Sequence, residues 1–437
     1  MPNRVSVVGA GLAGCEAAWT LAQRGIPVSL YEMKPKRFSP AHRSENFAEL
    51  VCSNSLKAMR TASAAGLLKA EMRLLDSLLL DCADKAQVAA GGALAVDRDD
   101  FSALVTQRIQ SHPLITTVRE ETVTIPEGDV IIATGPLTSD ALAAEIAELC
   151  GTASLSFYDA AAPIVTADSV DMDKAFFAAR YGRGEDDYIN CPFSQKEYER
   201  FYEALVEAEA VPLKEFEENG RVYEGCMPVE VMAKRGKDTL RFGPLRPVGL
   251  RDPRTGHRPW AVVQLRRENT AGSLYNLVGF QTNLRFPEQK RVFSLIPGLE
   301  NVEFARYGVM HRNTFLDSPR LLDADFSLRR DRRIYFAGQI TGVEGYMESA
   351  ASGLIAAHNL ARKLSGKEPL TLPEDTMLGA LSAYVGNPEV EDFQPMGANM
   401  GILPPLPIRV KGKQERYQMV ADRALDSLQQ ALAVQKF

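Results

Sequence analysis

Three groups of residues in this 437-residue chain have types and spacings that could do chemistry. The first is Gly9-Ala10-Gly11-Leu12-Ala13-Gly14, which follows the apolar run Val5 to Val8 and opens a helical pattern. Gly9 suits a tight turn, Gly11 lets the backbone approach a pyrophosphate, and Gly14 lets a helix pack closely on the strand before it. The first N–H groups of that helix then point at the phosphates. Glu32 ends a second strand-like run, Val28 to Tyr31, about 20 residues on, where an acid can take a ribose hydroxyl. Strand, turn, helix and acid together predict a bound dinucleotide.

The second group is two of the six cysteines. Cys226 lies in Gly225-Cys226-Met227-Pro228, a turn-like stretch followed by Lys234, Arg235 and Lys237. An accessible thiol near cations is drawn toward thiolate, the nucleophilic form; local sequence alone favours a small buried thiol, because free cysteine usually packs. Cys52 precedes Ser53 and Asn54, good caps for a helix expected to start near Leu56, whose positive end would favour thiolate. The alternative is a thiol packed under that helix. The third group is basic. Between Lys234 and Arg267 stand ten Lys and Arg against two Asp, with His257 and Trp260 interleaved, and Arg409, Lys411, Lys413 and Arg416 form a second patch. Such runs bind polyanions or form a solvated face.

These residues need elements to position them. Residues 1 to about 35 read as a first βαβ unit, and Asp129 to Gly135 as a further buried strand ending in a glycine turn that commonly passes a cofactor. Leu67, Leu68, Met72, Leu75, Leu78 and Leu79 recur at helical spacing within one long pattern from about Leu56 to Asp84. From about Asp168 short strand-like pieces, among them 260–265 and 275–280, mix with the acidic helical stretch 197–209. That is the pattern of an inserted α+β domain. The dinucleotide signature resumes at 333–346, where Gly338-Gln339, Gly342 and Gly345 keep a loop open to a ligand and a small-residue helix follows from Ser349. The predicted fold is therefore α/β: a two-dinucleotide-type, Rossmann-like FAD-binding domain (1–168 and 326–437) with an inserted α+β domain (169–325).

Composition narrows the class. With 50 Lys and Arg against 56 Asp and Glu, the net charge of −6 gives no global pull toward nucleic acid or anionic lipid. No apolar stretch is long enough to span a bilayer, and a strand starting at Arg4 leaves no room for a signal peptide, so a cytoplasmic protein is expected. The six cysteines contain no Cys-x-x-Cys pair, which suits reduced thiols, and the five histidines suggest no metal site. Cys15, Cys82, Cys150 and Cys191 are assigned to packing. A monomer or weak dimer is expected.

Several blocks carry a family resemblance: the glycine fingerprint, 47–56 around Cys52, 225–230 around Cys226, 338–346 and 393–405. With these the chain resembles the bacterial folate- and FAD-dependent tRNA (uracil-5-)-methyltransferases, from the N-terminus to near residue 415. The resemblance implies FAD in the Rossmann-like domain, methylenetetrahydrofolate as carbon donor and NAD(P)H as reductant. It implies methylation at C5 of the T-loop uridine, position 54 by tRNA convention. Cys226 would be the nucleophile that adds to uracil C6 and Cys52 the general base. Tyr346, in the glycine-rich loop, is a candidate to stack on the isoalloxazine or the folate, or else a core tyrosine that opens the next helix. The rival readings are a wobble-uridine-modifying relative that shares the Gly-Gln loop, an FAD oxidoreductase of small molecules, and a flavin-containing RNA-binding factor with inert cysteines.

Overall fold

The computed structural model describes residues 4–151, 155–160, 162–182, 187–211, 221–222, 227–269, 271–308, 310–390 and 393–435. Cys226 lies outside the described residues. A six-stranded sheet runs in the order Ser327–Leu328, Asp331–Phe336, Val130–Ile132, Val5–Val8, Val28–Tyr31, Ile115–Val118. Its members pair in parallel, Val8 opposite both Tyr31 and Ile132, except for the antiparallel edge strand 327–328. Val5, Val7, Val130 and Ile131 are buried, as expected where helices cover both faces of a parallel sheet. Helices Leu12–Gln23 and Tyr346–Leu364 cross so closely that a Cβ on Gly353 would run into the backbone of Ala13.

The first hydrophobic core draws on residues 5–150 and again on 316–432. A second core, 162–304, holds an antiparallel six-stranded sheet, with Phe193, Tyr198, Phe201, Phe280 and Phe293 packed between it and helices Gln195–Glu207 and Phe286–Phe293. The chain leaves the first body along strand Leu155–Ala160 and returns along its antiparallel partner Met310–Phe315. The α/β class with an inserted α+β body is thus what the chain adopts.

One expected element is different. The single helix from Leu56 to Asp84 is a strand, Ser55–Ala58, followed by two helices, Ala64–Arg73 and Leu78–Lys85. Ser55 pairs with Ala95, and the Lys69 ammonium donates to Leu56 O at 2.7 Å, so Leu56 is held in the strand from the helix beside it. Asp76 has φ 59°, which no helix interior tolerates, and Ser77 restarts the helix by accepting from Leu80 N. Both helices bury their leucines in the same core, which is why the spacing reads as continuous.

Candidate active site

A cleft with about 1360 Å³ of empty space opens at the carboxyl ends of the parallel strands. Open α/β sheets bind ligands there, where strand order reverses. Gly9, Ala10, Gly11, Leu12, Ala13, Glu32, Gly135, Gly338, Gln339, Tyr346 and Cys52 all line it. Gly9 turns at φ 96°, and a Cβ on Gly14 would collide with Gly9 O, so Gly14 lies behind the turn and sets how closely the helix approaches. The Glu32 carboxylate accepts from Ala10 N and from Lys34 N, both at 3.0 Å, which fixes the turn and leaves each oxygen a lone pair for a hydroxyl. Gly342 and Gly345 stand outside the lining: a Cβ would meet Phe393 at the first and Glu348 at the second.

These features fit a dinucleotide. The helix that starts at Leu12 has no side-chain cap and no acid in its first turn, so its N–H groups remain available to a pyrophosphate. The Thr122 hydroxyl, buried in the cleft wall, has no protein partner, as a ligand-facing group would.

Cys52 sits in this cleft beside the head of the Tyr346 helix. Its sulfur is 3.0 Å from the Tyr346 hydroxyl oxygen, which also accepts from Cys52 N at 2.8 Å and Ser53 N at 3.1 Å. A phenol oxygen has two acceptor sites and one hydrogen. Two N–H donors take up both acceptor sites, so the O–H is the hydrogen left for the sulfur. Burial, with the neighbouring Cys52, pushes the Tyr346 pKa well above the usual phenol value, so that hydrogen stays in place.

Three arginines hold the Cys52 loop from behind. Arg98 donates to Leu50 O and Val51 O at 3.0 and 3.1 Å and pairs with Glu268 at 2.7 Å. Arg306 adds a 2.8 Å bond to Val51 O, and Arg266 donates to Asn54 Oδ1 and Ser53 Oγ at 2.9 and 2.7 Å. All three interact electrostatically with Cys52. No helix begins at Leu56; guanidinium groups supply a positive field at this sulfur, which lies beside the head of the Tyr346 helix. Sequence reasoning missed all three. The one visible signal was Arg266-Arg267-Glu268, charges that continue the buried apolar run 261–265.

The four cysteines assigned to packing are buried, and burial raises each thiol, Cys82 to about 11 and Cys191 to about 12. Part of the first basic run is engaged within the protein. Arg241 lies 3.7 Å over the Trp260 ring, Lys237 pairs with Glu199 and Arg254 with Asp252. Trp260 therefore already has a cation on one face. Among the described residues no cluster of His, Cys, Asp or Glu could hold a metal ion, and no helix is long and apolar enough to cross a membrane.

Comparison with known proteins adds three findings. Residues 4–368 match the family model described as glucose inhibited division protein A. The chain is 59% identical over 431 residues, 98% of itself and 99% of the relative, to a methylenetetrahydrofolate–tRNA-(uracil-5-)-methyltransferase TrmFO of Acetivibrio thermocellus. It is 61% identical to the protein of the same name from Pelotomaculum thermopropionicum, over 97% of each. Among solved structures, Aquifex aeolicus GidA superposes with a TM-score of 0.71 at 16% identity, covering 98% of this chain and 73% of that one.

Proposed function

Because this chain belongs to the glucose inhibited division protein A family, and within it to the methylenetetrahydrofolate–tRNA-(uracil-5-)-methyltransferases, we propose that Cys226 and Cys52 divide the covalent methylation of a tRNA uracil between them. The enzyme methylates uracil at C5 in tRNA, taking the carbon from methylenetetrahydrofolate and electrons from NAD(P)H through FAD. Bound FAD supplies the reducing electrons that turn a one-carbon unit at the methylene level into a methyl group. The T-loop uridine at position 54 is the target we assign.

Uracil C5 is a poor nucleophile. A thiolate adding to C6 turns the ring into an enolate, which carries electron density to C5 for attack on the carbon donor. Cys226 takes that role. Cys52 then removes the C5 proton, and the electrons left behind break the bond from the new carbon to its donor nitrogen; once that methylene carbon has gained a hydride equivalent, the enolate re-forms and expels the Cys226 sulfur from C6. A base for that step must be a thiolate near neutral pH. The Tyr346 O–H and the three guanidinium groups favour this form at Cys52. The observation that carries the assignment is the 3.0 Å contact between Cys52 Sγ and Tyr346 Oη in the wall of the dinucleotide cleft.

Unmodified tRNA containing 5-fluorouracil tests the division of labour, because fluorine at C5 cannot leave as a proton does. The wild type should trap a thiol-dependent protein–RNA adduct, Cys226→Ala should trap none, and Cys52→Ala should still form it. An adduct that survives Cys226→Ala and is lost in Cys52→Ala reverses the two roles.

A further inference from the structure

A second cleft, sharing no lining residue with the first, encloses about 1450 Å³ of empty space between the strand end at Ala58 and the second body. Arg60, Arg180, Tyr181, Tyr188, Arg246 and Gln414 line it, together with small, apolar and amide residues, and among the described residues no carboxylate does. Arg180 is held rigidly: its guanidinium donates to Gln264 Oε1 at 2.7 Å, Arg246 O at 2.6 Å and Val248 O at 2.8 Å. None of these partners cancels its charge, and the neighbouring Arg246 charge repels it. Asp187, on the same stretch of chain, accepts from Gly91 N at 2.6 Å. Guanidinium groups set together with no acid among the described lining residues favour the arrival of an anion.

Tyr181 adds a flat apolar surface. It is 58% exposed and held at φ 59°, a left-handed conformation that is strained for any residue with a side chain. Gly249 makes room for its ring, since a Cβ there would stand 3.0 Å from it. Gln414 brings the start of helix Lys413–Val434 to the rim, and Gln418 donates to Thr61 Oγ1 at 3.2 Å, tying that helix down beside Arg60. The exposed Lys411, Lys413 and Arg416 flank Gln414 in sequence, with Lys413 and Arg416 set over the Tyr417 ring. Arginines from three distant parts of the sequence, Arg60, Arg180 and Arg246, thus meet at one wall. From Cys52 to Ala58 the chain spans at most roughly 20 Å at strand rise.

We propose that this cleft docks the tRNA substrate, its cations on backbone phosphates and Tyr181 against an unstacked base, with the target uridine reaching toward Cys52. Cations strung along a groove beside an exposed aromatic ring suit a polyanion with planar bases. The inference rests on tRNA being the substrate.

The test is binding of an unmodified tRNA transcript to FAD-loaded full-length enzyme, by fluorescence polarisation across a salt series, with flavin content as the check of folding. Arg246→Glu and Lys413→Glu should each raise Kd about tenfold or more and flatten the salt slope by about one. Tyr181→Ala should raise Kd and leave the slope unchanged. Wild-type Kd and slope in both charge reversals would overturn the assignment. So would an unchanged tRNA Kd with a raised KM for polyglutamylated folate, which would give the cleft to the folate tail. A wild type that binds no transcript would overturn the substrate reading itself.

Discussion

The Tyr346 oxygen accepts from Cys52 N and Ser53 N and turns its hydrogen to the Cys52 sulfur. Hydrogen bonds to charged groups are worth about 1.5–3 kcal/mol, so Tyr346→Phe should slow methylation roughly 10- to 100-fold. The same change should move the pH profile of Cys52 alkylation upward, read peptide by peptide by mass spectrometry, while FAD stays bound. An unmoved alkylation profile would confine Tyr346 to a structural part. Arg266→Gln should act in the same direction, because it removes a charge that faces Cys52 and a bond to Ser53 Oγ. Arg266→Lys, which keeps the charge but loses the fork of donors, should recover part of the loss.

Between elements, buried carboxylates do the capping. Glu16, in the first helix, accepts from Ser77 Oγ, Leu78 N and Leu79 N and so closes the start of helix Leu78–Lys85. Glu71 does the same for helix Met377–Gly386 by accepting from Met377 N and Leu378 N at 2.8 Å. Burial raises Glu16 to about 7 and Glu71 to about 8. Both then bind protons more tightly folded than unfolded, so the stability they add at low pH is lost as pH rises through those values. The depressed histidines His42, His112 and His358 act in the opposite sense below about pH 6.5, and Lys69, lowered by burial to about 8, does so from about pH 8 upward, which leaves pH 7 to 8 as the informative window. Melting temperature should fall across it, and Glu71→Gln, which cannot ionise, should flatten the fall. A wild-type melting temperature that is flat or rising from pH 7 to 8 would contradict this.

Elements whose cause is local were legible in the sequence. Val5–Val8, Val28–Tyr31 and the glycine turn follow from apolar runs and residues without side chains. The break between residues 73 and 78 was not, because both helices turn their leucines to one core, and only the left-handed Asp76 and the Ser77 cap mark the joint. The surroundings of Cys52 were not legible either. Arg98, Arg266 and Arg306 reach it from 46, 214 and 254 residues away, and no local pattern encodes such a meeting.

Taken whole, the molecule carries a net charge of −6 yet gathers cations at one wall. Local field outweighs the total for a polyanion. The first body binds its cofactor only when folded, so stripping FAD should lower the melting temperature. Restoring FAD at a hundredfold excess over its Kd should return about 2.7 kcal/mol. Equal melting of stripped and loaded protein would mean that FAD adds nothing to the fold. The most direct measurement of the account follows the carbon itself. Purified enzyme is given unmodified tRNA, NADPH and methylenetetrahydrofolate labelled in the methylene group, and the labelled nucleotide is mapped. The expected result is label at C5 of the T-loop uridine with wild type and none with Cys226→Ala or Cys52→Ala. Label at the wobble base, or undiminished T-loop label in either cysteine variant, would contradict it.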